Sequence, residues 1–229
     1  MYGWPYETQE ARVTDQPFDA GVEFDRQVGN LLAKDYPALA GLGPAEFTDR
    51  LAPLRATVVR RAATMTPPTE GRVPFVLVVT RELVPVEERL TRLTLAGRRK
   101  PGFLDRHYAE GDLARFDPIK ELELPDSPAY LLFDVDRGEE TLNLAPDAAM
   151  EIITGQGRTP LTIDEGIAFV THFPAALARN KCFSLVGSRC GDRRVPAIWI
   201  SQGAPKLGWC WYGNPHTWLG SASTADRST

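Results

Sequence analysis

The pattern of apolar and polar positions predicts helices in the first part of the chain and buried strands after them. From about Val22 to Lys34, apolar residues recur at three- and four-residue spacing, which places them on one helical face. A second helix is expected to begin at Pro44, since proline is favoured at the first helical position. The stretches 73–80 (VPFVLVVT) and 129–135 (AYLLFDV) are apolar on both faces, as central strands are. These elements predict an α+β fold with N-terminal helices and a central mixed sheet.

The clearest local signal lies in the segment LTIDEGIAFVTHFP, residues 161–174. Thr162 is expected to cap a helix, and Glu165, three positions later, completes a capping box. Ile163 belongs to the stripe that this helix buries. His172 comes nine residues after Ile163, so it is expected on the face opposite that stripe.

The C-terminal third predicts an antiparallel β-hairpin or meander. CFSLVGSR and RRVPAIWIS flank Gly191-Asp192, a pair typical of two-residue turns. In that register Phe183 pairs with Ile200 and Arg189 with Arg194. The predicted core face consists of Phe183, Leu185, Ile198 and Ile200. The predicted opposite face consists of Cys182, Ser184, Ser188, Trp199 and Ser201.

Composition limits the class of protein. The chain has 229 residues, of which 43% are hydrophobic and 24% charged, as in ordinary folded proteins. One domain is expected over 21–220, with a flexible arm at 1–20 and a disordered tail at 221–229. No apolar run approaches the ~20 residues of a membrane span, and the N-terminus does not resemble a signal peptide. Three cysteines without a C-x-x-C pattern favour a cytoplasmic protein.

Charge and aromatic residues are distributed unevenly along the chain. The net charge of −4 is unfavourable for a nucleic-acid binder as a whole. Between residues 179 and 220, however, there are six basic residues and one acidic residue, Asp192. Four of the five tryptophans and all three cysteines lie in the same stretch. This asymmetry indicates a surface for an anionic partner or substrate, and a basic edge that pairs with the acidic remainder of the fold is the alternative.

The candidate binding residues are the basic and aromatic side chains of this stretch. Arginine can hold phosphate or carboxylate at two points, and tryptophan offers a flat wall for a base, sugar or acyl group. His216, in GNPHTW, would be the general acid or base if the protein catalyses a reaction. The alternative is a histidine that hydrogen-bonds locally and stabilises the turn. The candidate ligand-binding residues are Arg189, Arg193, Arg194, Lys206, Trp199, Trp209 and Trp211.

Other candidate sites are weaker. Asp134 and Asp136 point the same way at a strand end and could bind a cation such as magnesium, but plain turns often show the same pattern. Cys182 and Cys190 would be ~26 Å apart on an extended strand, too far to share one zinc ion. His107 lies in a long irregular connection over 98–116, which could contribute to a site or be a solvated loop.

Five segments of the chain resemble a known protein family. They are RQVGNLLAKDYPALAGL, VPFVLVVTRELVP, PAYLLFDVDRGEE, RTPLTIDEGIAFVTHFP and RRVPAIWISQGAPKLGWCWYGNPHTWLG. Together they are similar to an actinobacterial family known only as a domain of unknown function. The resemblance covers about 18–223 and implies a bacterial cytoplasmic protein. It implies no reaction, cofactor or catalytic residue.

Two functions are consistent with these features. In the first, the basic, Trp-rich C-terminal face binds a small anionic ligand and could transform it. In the second, the same face is a non-enzymatic interaction module that docks on an acidic protein surface or a sibling subunit. Nucleic-acid contact is less favoured, because the rest of the chain is acidic. No phosphate-binding loop and no G-x-S-x-G motif is present, so the sequence indicates no cofactor or reaction.

Overall fold

The computed structural model describes residues 18–229. Most of the predicted flexible arm therefore lies outside the described residues. The described helices are α1 (Ala20–Ala33), α2 (Tyr36–Leu39), α3 (Pro44–Arg61), α4 (Val86–Thr91), α5 (Pro146–Gly155) and α6 (Ile163–His172). The described strands are β1 (Arg72–Val79), β2 (Phe103–Leu104), β3 (Asp117–Pro118), β4 (Ala129–Asp136), β5 (Thr159–Pro160), β6 (Cys182–Ser184), β7 (Ser188–Arg189), β8 (Arg194–Ser201), β9 (Ala204–Trp211), β10 (Leu219–Ser221), β11 (Ser223–Thr224) and β12 (Asp226–Ser228).

The predicted α+β class is confirmed, and so are both central strands. β1 and β4 pair antiparallel, with Phe75 opposite Phe133 and Val78 opposite Tyr130. The sheet continues in the order β1-β4-β11-β5, and β12 also pairs with β4. Because side chains alternate along a strand, Phe75 joins the core beneath α1 and α3, whereas Val78 joins the core around α6. This central sheet is therefore buried on both faces.

Helix α6 lies between the central sheet and a second, C-terminal sheet. The predicted capping box at Thr162 and Glu165 is confirmed. His172 lies opposite the predicted stripe, yet it is only 1% exposed, and its Nε2 lies 2.9 Å from the carbonyl oxygen of Leu77. The expectation of a single buried stripe is wrong, because every residue of α6 is buried. The second sheet covers the face that an ordinary amphipathic helix leaves to solvent.

The C-terminal sheet has the order β10-β6-β8-β9-β2. Its hairpin is antiparallel as predicted, but it joins β8 to β9 through Gln202 and Gly203, both with positive φ. The predicted turn at Gly191-Asp192 and the pairing of Phe183 with Ile200 are wrong, since Phe183 pairs with Ile198.

The chain leaves this sheet after β6, which explains the different register. The amide of Leu185 makes the last bond to β8, at the Pro196 carbonyl, whereas that of Gly187 donates to the Leu161 carbonyl outside this sheet. As a result β7 pairs with β3, and Arg189 lies opposite Asp117 instead of Arg194. A shift of two residues leaves each side chain on its predicted face, so Phe183 and Ile198 are both in the core.

The predicted disordered tail at 221–229 is also corrected by the structure. β11 pairs with β4 and β5, and β12 pairs with β4, where Arg227 lies opposite Leu132. The Arg227 side chain is 6% exposed and lies 2.6 Å from the fully buried Glu165 carboxylate. The tail sequence is polar, but strand pairing and this ion pair satisfy its polar groups. Across residues 18–229, no helix has the length and apolar character needed to cross a bilayer.

Candidate functional site

The candidate binding residues lie on two faces of the C-terminal sheet. Phe183 packs against Phe169 of α6 at 5.6 Å between ring centroids, so the face that contains Phe183 is the inner face. The β8–β9 register places Trp209 and Trp211 on this inner face, together with Arg194. Trp199 and its partner Lys206 lie on the opposite, outer face. The seven candidate residues are therefore not brought together into one pocket.

On the inner face, Arg194 is already neutralised by carboxylates. Its Nη1 lies 2.6 Å from Asp112 and its Nε lies 2.9 Å from Asp192, and the guanidinium also contacts the Trp209 ring. The hydrogen bond from Arg194 holds the pKa of Asp112 below its usual range. Beside this cluster Trp211 packs edge-on against Trp209 at 4.9 Å and remains 46% exposed. Arg194 therefore fits the alternative of a basic edge that pairs with the acidic remainder of the fold.

The other two arginines lie near the 191–193 bend. Arg189 donates through Nη2 to the Asp192 carbonyl at 2.9 Å and stacks over the Tyr212 ring at 4.2 Å. Arg193 is exposed, and no carboxylate of residues 18–229 lies within ion-pair distance of it. The Arg189 side chain is therefore held by a hydrogen bond within the bend, while the Arg193 side chain is exposed and lies close to Gly213.

On the outer face, Lys206 lies in an arrangement that combines charge with aromatic rings. Its Nζ is 2.5 Å from the Asp105 carboxylate and lies 5.2 Å from the Trp199 ring centroid and 5.9 Å from that of Phe103. Asp105 also accepts hydrogen bonds from His107. Burial by itself would raise the pKa of Asp105, but the hydrogen bonds from Lys206 and His107 outweigh it and lower that pKa.

Sequence reasoning missed Asp105 and Phe103, and tertiary structure explains why. They reach this face because β2 pairs in parallel with β9, placing Phe103 beside Lys206. The two strands are about 100 residues apart in the chain. β2 has only two residues, so its sequence has no alternation from which a strand could be recognised.

A cleft of about 420 Å³ opens next to Trp199 on the outer face. Trp199 and Trp218 form two of its walls, with their rings 5.8 Å apart and edge to face. Arg179 stands at the cleft and is exposed, and no carboxylate of the described residues pairs with it. The cleft is lined by Arg179, Asn180, Cys182, Trp199, Ile200 and Trp218.

The thiol in this cleft is not an activated nucleophile. Cys182 is buried, and this burial raises its pKa above the usual range of a thiol. It therefore remains protonated at neutral pH and acts as a small apolar group. Burial raises the pKa of Cys190 and Cys210 in the same way. All three cysteines are free thiols.

His216 lies at the edge of this region. Its ring centroid is 5.3 Å from that of Trp218, and the side chain is half-buried. Its carbonyl oxygen accepts hydrogen bonds from the amides of Asn143 and Leu219, so the residue does hold its loop. Among the described residues, no side chain bonds to its ring nitrogens. The position suits contact with a ligand that lies against Trp218, but no carboxylate within residues 18–229 orients the imidazole.

The carboxylates of the candidate metal site, Asp134 and Asp136, already accept hydrogen bonds from other groups of the fold. Arg72 bonds both oxygens of Asp134 at 2.5 and 2.6 Å, and Arg158 donates to the same carboxylate at 2.7 Å. Asp136 accepts the amide of Gly138 at 2.6 Å. Within residues 18–229, no group of three or more His, Cys, Asp or Glu side chains is arranged to hold a metal ion. The arrangement around Asp134 therefore shows a carboxylate that is already compensated by two arginines.

Comparison with known proteins identifies a family but no individual related protein. No curated protein matches the chain, and no solved structure matches it. The family described as "Family of unknown function (DUF5701)" matches residues 30–229. This match spans both sheets, helix α6 and the outer-face cleft, and it agrees with the resemblance that the sequence segments indicated. The chain belongs to this family of unknown function.

Proposed function

We propose that the protein binds a small anionic ligand in the outer-face cleft that Trp199 and Trp218 line together with Arg179. The observation that carries the proposal is Arg179, an exposed and unpaired guanidinium among residues 18–229, beside two tryptophan rings in a cleft of about 420 Å³. Pockets for small ligands are commonly about 300–1,000 Å³, with mostly apolar walls and a few polar groups. The ligand would place its phosphate or carboxylate at Arg179 and its apolar part against the indoles.

Arg179 suits this role better than Arg194 of the inner face or Lys206 of the outer face. Arg194 and Lys206 each contact a carboxylate at 2.5–2.6 Å, so an anion would have to displace that partner before binding. Arg179 has no such partner to displace. A guanidinium can hold a phosphate or carboxylate through two parallel hydrogen bonds. In this proposal Trp199 and Trp218 supply the apolar contact, and His216 is the candidate acid or base if the ligand is transformed.

Thermal denaturation in the presence of candidate ligands tests the proposal. Phosphates, nucleotides, acyl-CoAs and carboxylates would be screened, because a ligand that binds only the folded state raises the melting temperature. At 100 times its dissociation constant, such a ligand stabilises the fold by about 2.7 kcal/mol. Arg179→Ala and Trp199→Ala should each abolish the shift. Arg50→Ala, which removes an exposed arginine of α3 far along the chain, should not change it.

Arg193→Ala separates this site from the bend at 191–193. If Arg193→Ala removes the shift and Arg179→Ala retains it, the anion binds at the bend and the cleft proposal is wrong. If no compound of the screen shifts the wild-type protein, the second function gains support.

The second candidate function is a non-enzymatic interaction module, and exposed Trp211 favours it. This side chain is 46% exposed and is supported from beneath by Trp209. Tryptophan and arginine are frequent hot-spot residues of protein interfaces, and exposed Arg193 lies near the same end of the sheet. The partner would be an acidic protein surface or a second subunit. Sedimentation equilibrium of the wild type and of Trp211→Ser should then show a self-association that only the wild type has.

The remaining parts of the proposal concern cellular context. We place the protein in the cytoplasm of an actinobacterium, because of the resemblance of its sequence segments and because its three cysteines are free thiols. Nucleic-acid contact stays the least favoured alternative. A salt-dependent binding of oligonucleotides at low ionic strength would be needed to support it.

A further inference from the structure

The three histidines of the chain have very different surroundings. His172 is fully enclosed, and the His216 ring contacts Trp218 without a carboxylate partner among the described residues. His107 combines the two features that a proton-transfer group needs. Its Nδ1 lies 2.7 Å from the Asp105 carboxylate, while the imidazole ring is 62% exposed.

Asp105 holds the His107 imidazole in one orientation and one tautomer. The carboxylate accepts the backbone amide of His107 at 2.9 Å as well as its Nδ1. Because a carboxylate accepts and does not donate, Nδ1 carries the hydrogen, and the lone pair of the neutral ring is then on Nε2. Nε2 is the nitrogen left available on this exposed ring. A carboxylate that bonds one imidazole nitrogen and leaves the other for a proton is the arrangement of many hydrolytic sites.

The surroundings of Asp105 show that this pair is part of the fold and not a local loop contact alone. The Asp105 side chain is 7% exposed, and Lys206 of β9 bonds its second oxygen at 2.5 Å. The hydrogen bonds from Lys206 and His107 keep the pKa of Asp105 low despite its burial, so it is ionised at neutral pH. Lys206 in turn lies over the rings of Phe103 and Trp199. Through Lys206 the dyad is therefore connected to two aromatic side chains of the outer face.

We propose that His107 is a general base, oriented by Asp105, that activates water for the hydrolysis of small esters. The acyl group of the substrate would lie against Phe103 and Trp199. This proposal does not require an anion in the cleft between Trp199 and Trp218, and its test does not use the ligands of that cleft. It assigns a proton-transfer role to His107 that is separate from the role considered for His216 in the cleft.

The chemical step uses only water as co-reactant. His107 Nε2 takes a proton from water as the water oxygen forms a bond to the ester carbonyl carbon. The carbonyl electron pair moves to its oxygen and then returns, which breaks the bond to the leaving oxygen. The proton on Nε2 passes to that leaving oxygen, so the products are a carboxylic acid and an alcohol. Asp105 stabilises the imidazolium between the two proton transfers and does not itself become protonated.

Hydrolysis of 4-nitrophenyl butyrate by the full chain tests the proposal. General acid–base catalysis contributes about 10²–10⁴-fold to rates, so His107→Gln should slow the reaction by about 100-fold or more. Asp105→Asn should slow it at least about tenfold and change its pH profile. Arg106→Ala removes the exposed neighbouring side chain of the same loop and should leave the rate unchanged. A slower wild-type reaction in D₂O is expected, because the proton moves in the rate-limiting step.

Two kinetic results would overturn the assignment. One is a wild-type rate no higher than that of free imidazole at the same concentration, and the other is a His107→Gln variant as fast as the wild type. Asp105 is buried, so circular dichroism must show that Asp105→Asn folds before its rate is used. If it does not fold, ¹⁵N NMR of wild-type His107 replaces it. The neutral ring must then show the hydrogen on Nδ1, and an Nε2-protonated ring contradicts the proposal.

Discussion

Charged residues differ in their ion pairing between the start of α6 and the outer face of the C-terminal sheet. At α6, Asp164 is bonded by Arg89 and Arg81, and Glu165 is bonded by Arg227. On the outer face, Arg179 has no carboxylate partner among residues 18–229. The buried carboxylates of Asp164 and Glu165 are thus compensated within the fold, whereas the cation at the cleft has no carboxylate partner among the described residues. The comparison separates basic residues that pair with buried carboxylates from one that has no such partner at the surface of the described residues.

The physical reason is the cost of moving charge away from water. An unpaired ion in the interior is strongly destabilising, so a buried carboxylate requires close partners. Burial alone would raise the pKa of Asp164, but the charges of Arg89 and Arg81 outweigh it and lower that pKa. At the surface, solvent stabilises an unpaired arginine, and no internal partner is required. The predictions below test this difference, starting with the largest expected effect.

Arg227→Ala should be the most destabilising change. It leaves Glu165, which is fully buried, without its cation, and breaking a buried ion pair on one side costs about 3–5 kcal/mol. Urea denaturation measures the free energy of unfolding. Arg50→Ala is the control, because it breaks an exposed pair with Glu46 on α3 that contributes about 0.3–0.5 kcal/mol. Equal losses in the two variants would contradict the contrast between interior and surface charge.

Gly208→Ala should disturb the packing of Trp199 on the outer face of the C-terminal sheet. A Cβ at this position would clash with the Trp199 ring, because the indole lies directly over the glycine. Overpacking of this kind costs about 1–3 kcal/mol, and here it should also displace Trp199 from the cleft. Denaturation measures the first effect, and loss of the ligand-induced thermal shift measures the second. A variant that keeps the full ligand shift would show that Trp199 is not a wall of the site.

The pH dependence of stability should report on buried His172. Burial lowers the pKa of His172 to about 3, whereas the unfolded value is 6.5. Between these values the unfolded chain binds the proton and the folded protein does not, so stability falls as the pH decreases below about 6.5. From pH 7 to pH 5.5 this group should reduce the free energy of unfolding by about 1.3 kcal/mol. His172→Gln should flatten that part of the profile, and an unchanged slope would contradict the assignment.

The smallest expected effect is an increase in stability. Gly29 lies within α1, and a Cβ built there meets no atom within 4 Å. Gly29→Ala should therefore stabilise the fold by about 0.5–1 kcal/mol, since glycine is a poor helix former. It is also the matched glycine control for Gly208→Ala, and it should leave ligand binding unchanged. A destabilised Gly29→Ala would mean that α1 packs against a group that the structure does not place there.

Much of the fold could be predicted from local patterns, but little of the site could. The central strands and the Thr162 capping box were identified because apolar alternation and capping depend on neighbouring residues. The candidate ligand-binding residues were all chosen from the C-terminal third of the chain, and the structure divides them between two faces of one sheet. Trp218 and Asp105 were not selected, because neither has a local pattern that indicates a binding role.

By itself, the sequence determined the α+β class, the two central strands, the membership of a family and the concentration of basic and aromatic residues near the C-terminus. Tertiary structure alone decided that the tail pairs with β4, that His172 is buried, and that Asp105 meets Lys206. The reason is the range of the interactions. Periodicity and capping act over a few residues, whereas strand order and buried ion pairs join residues that only the packed fold brings together.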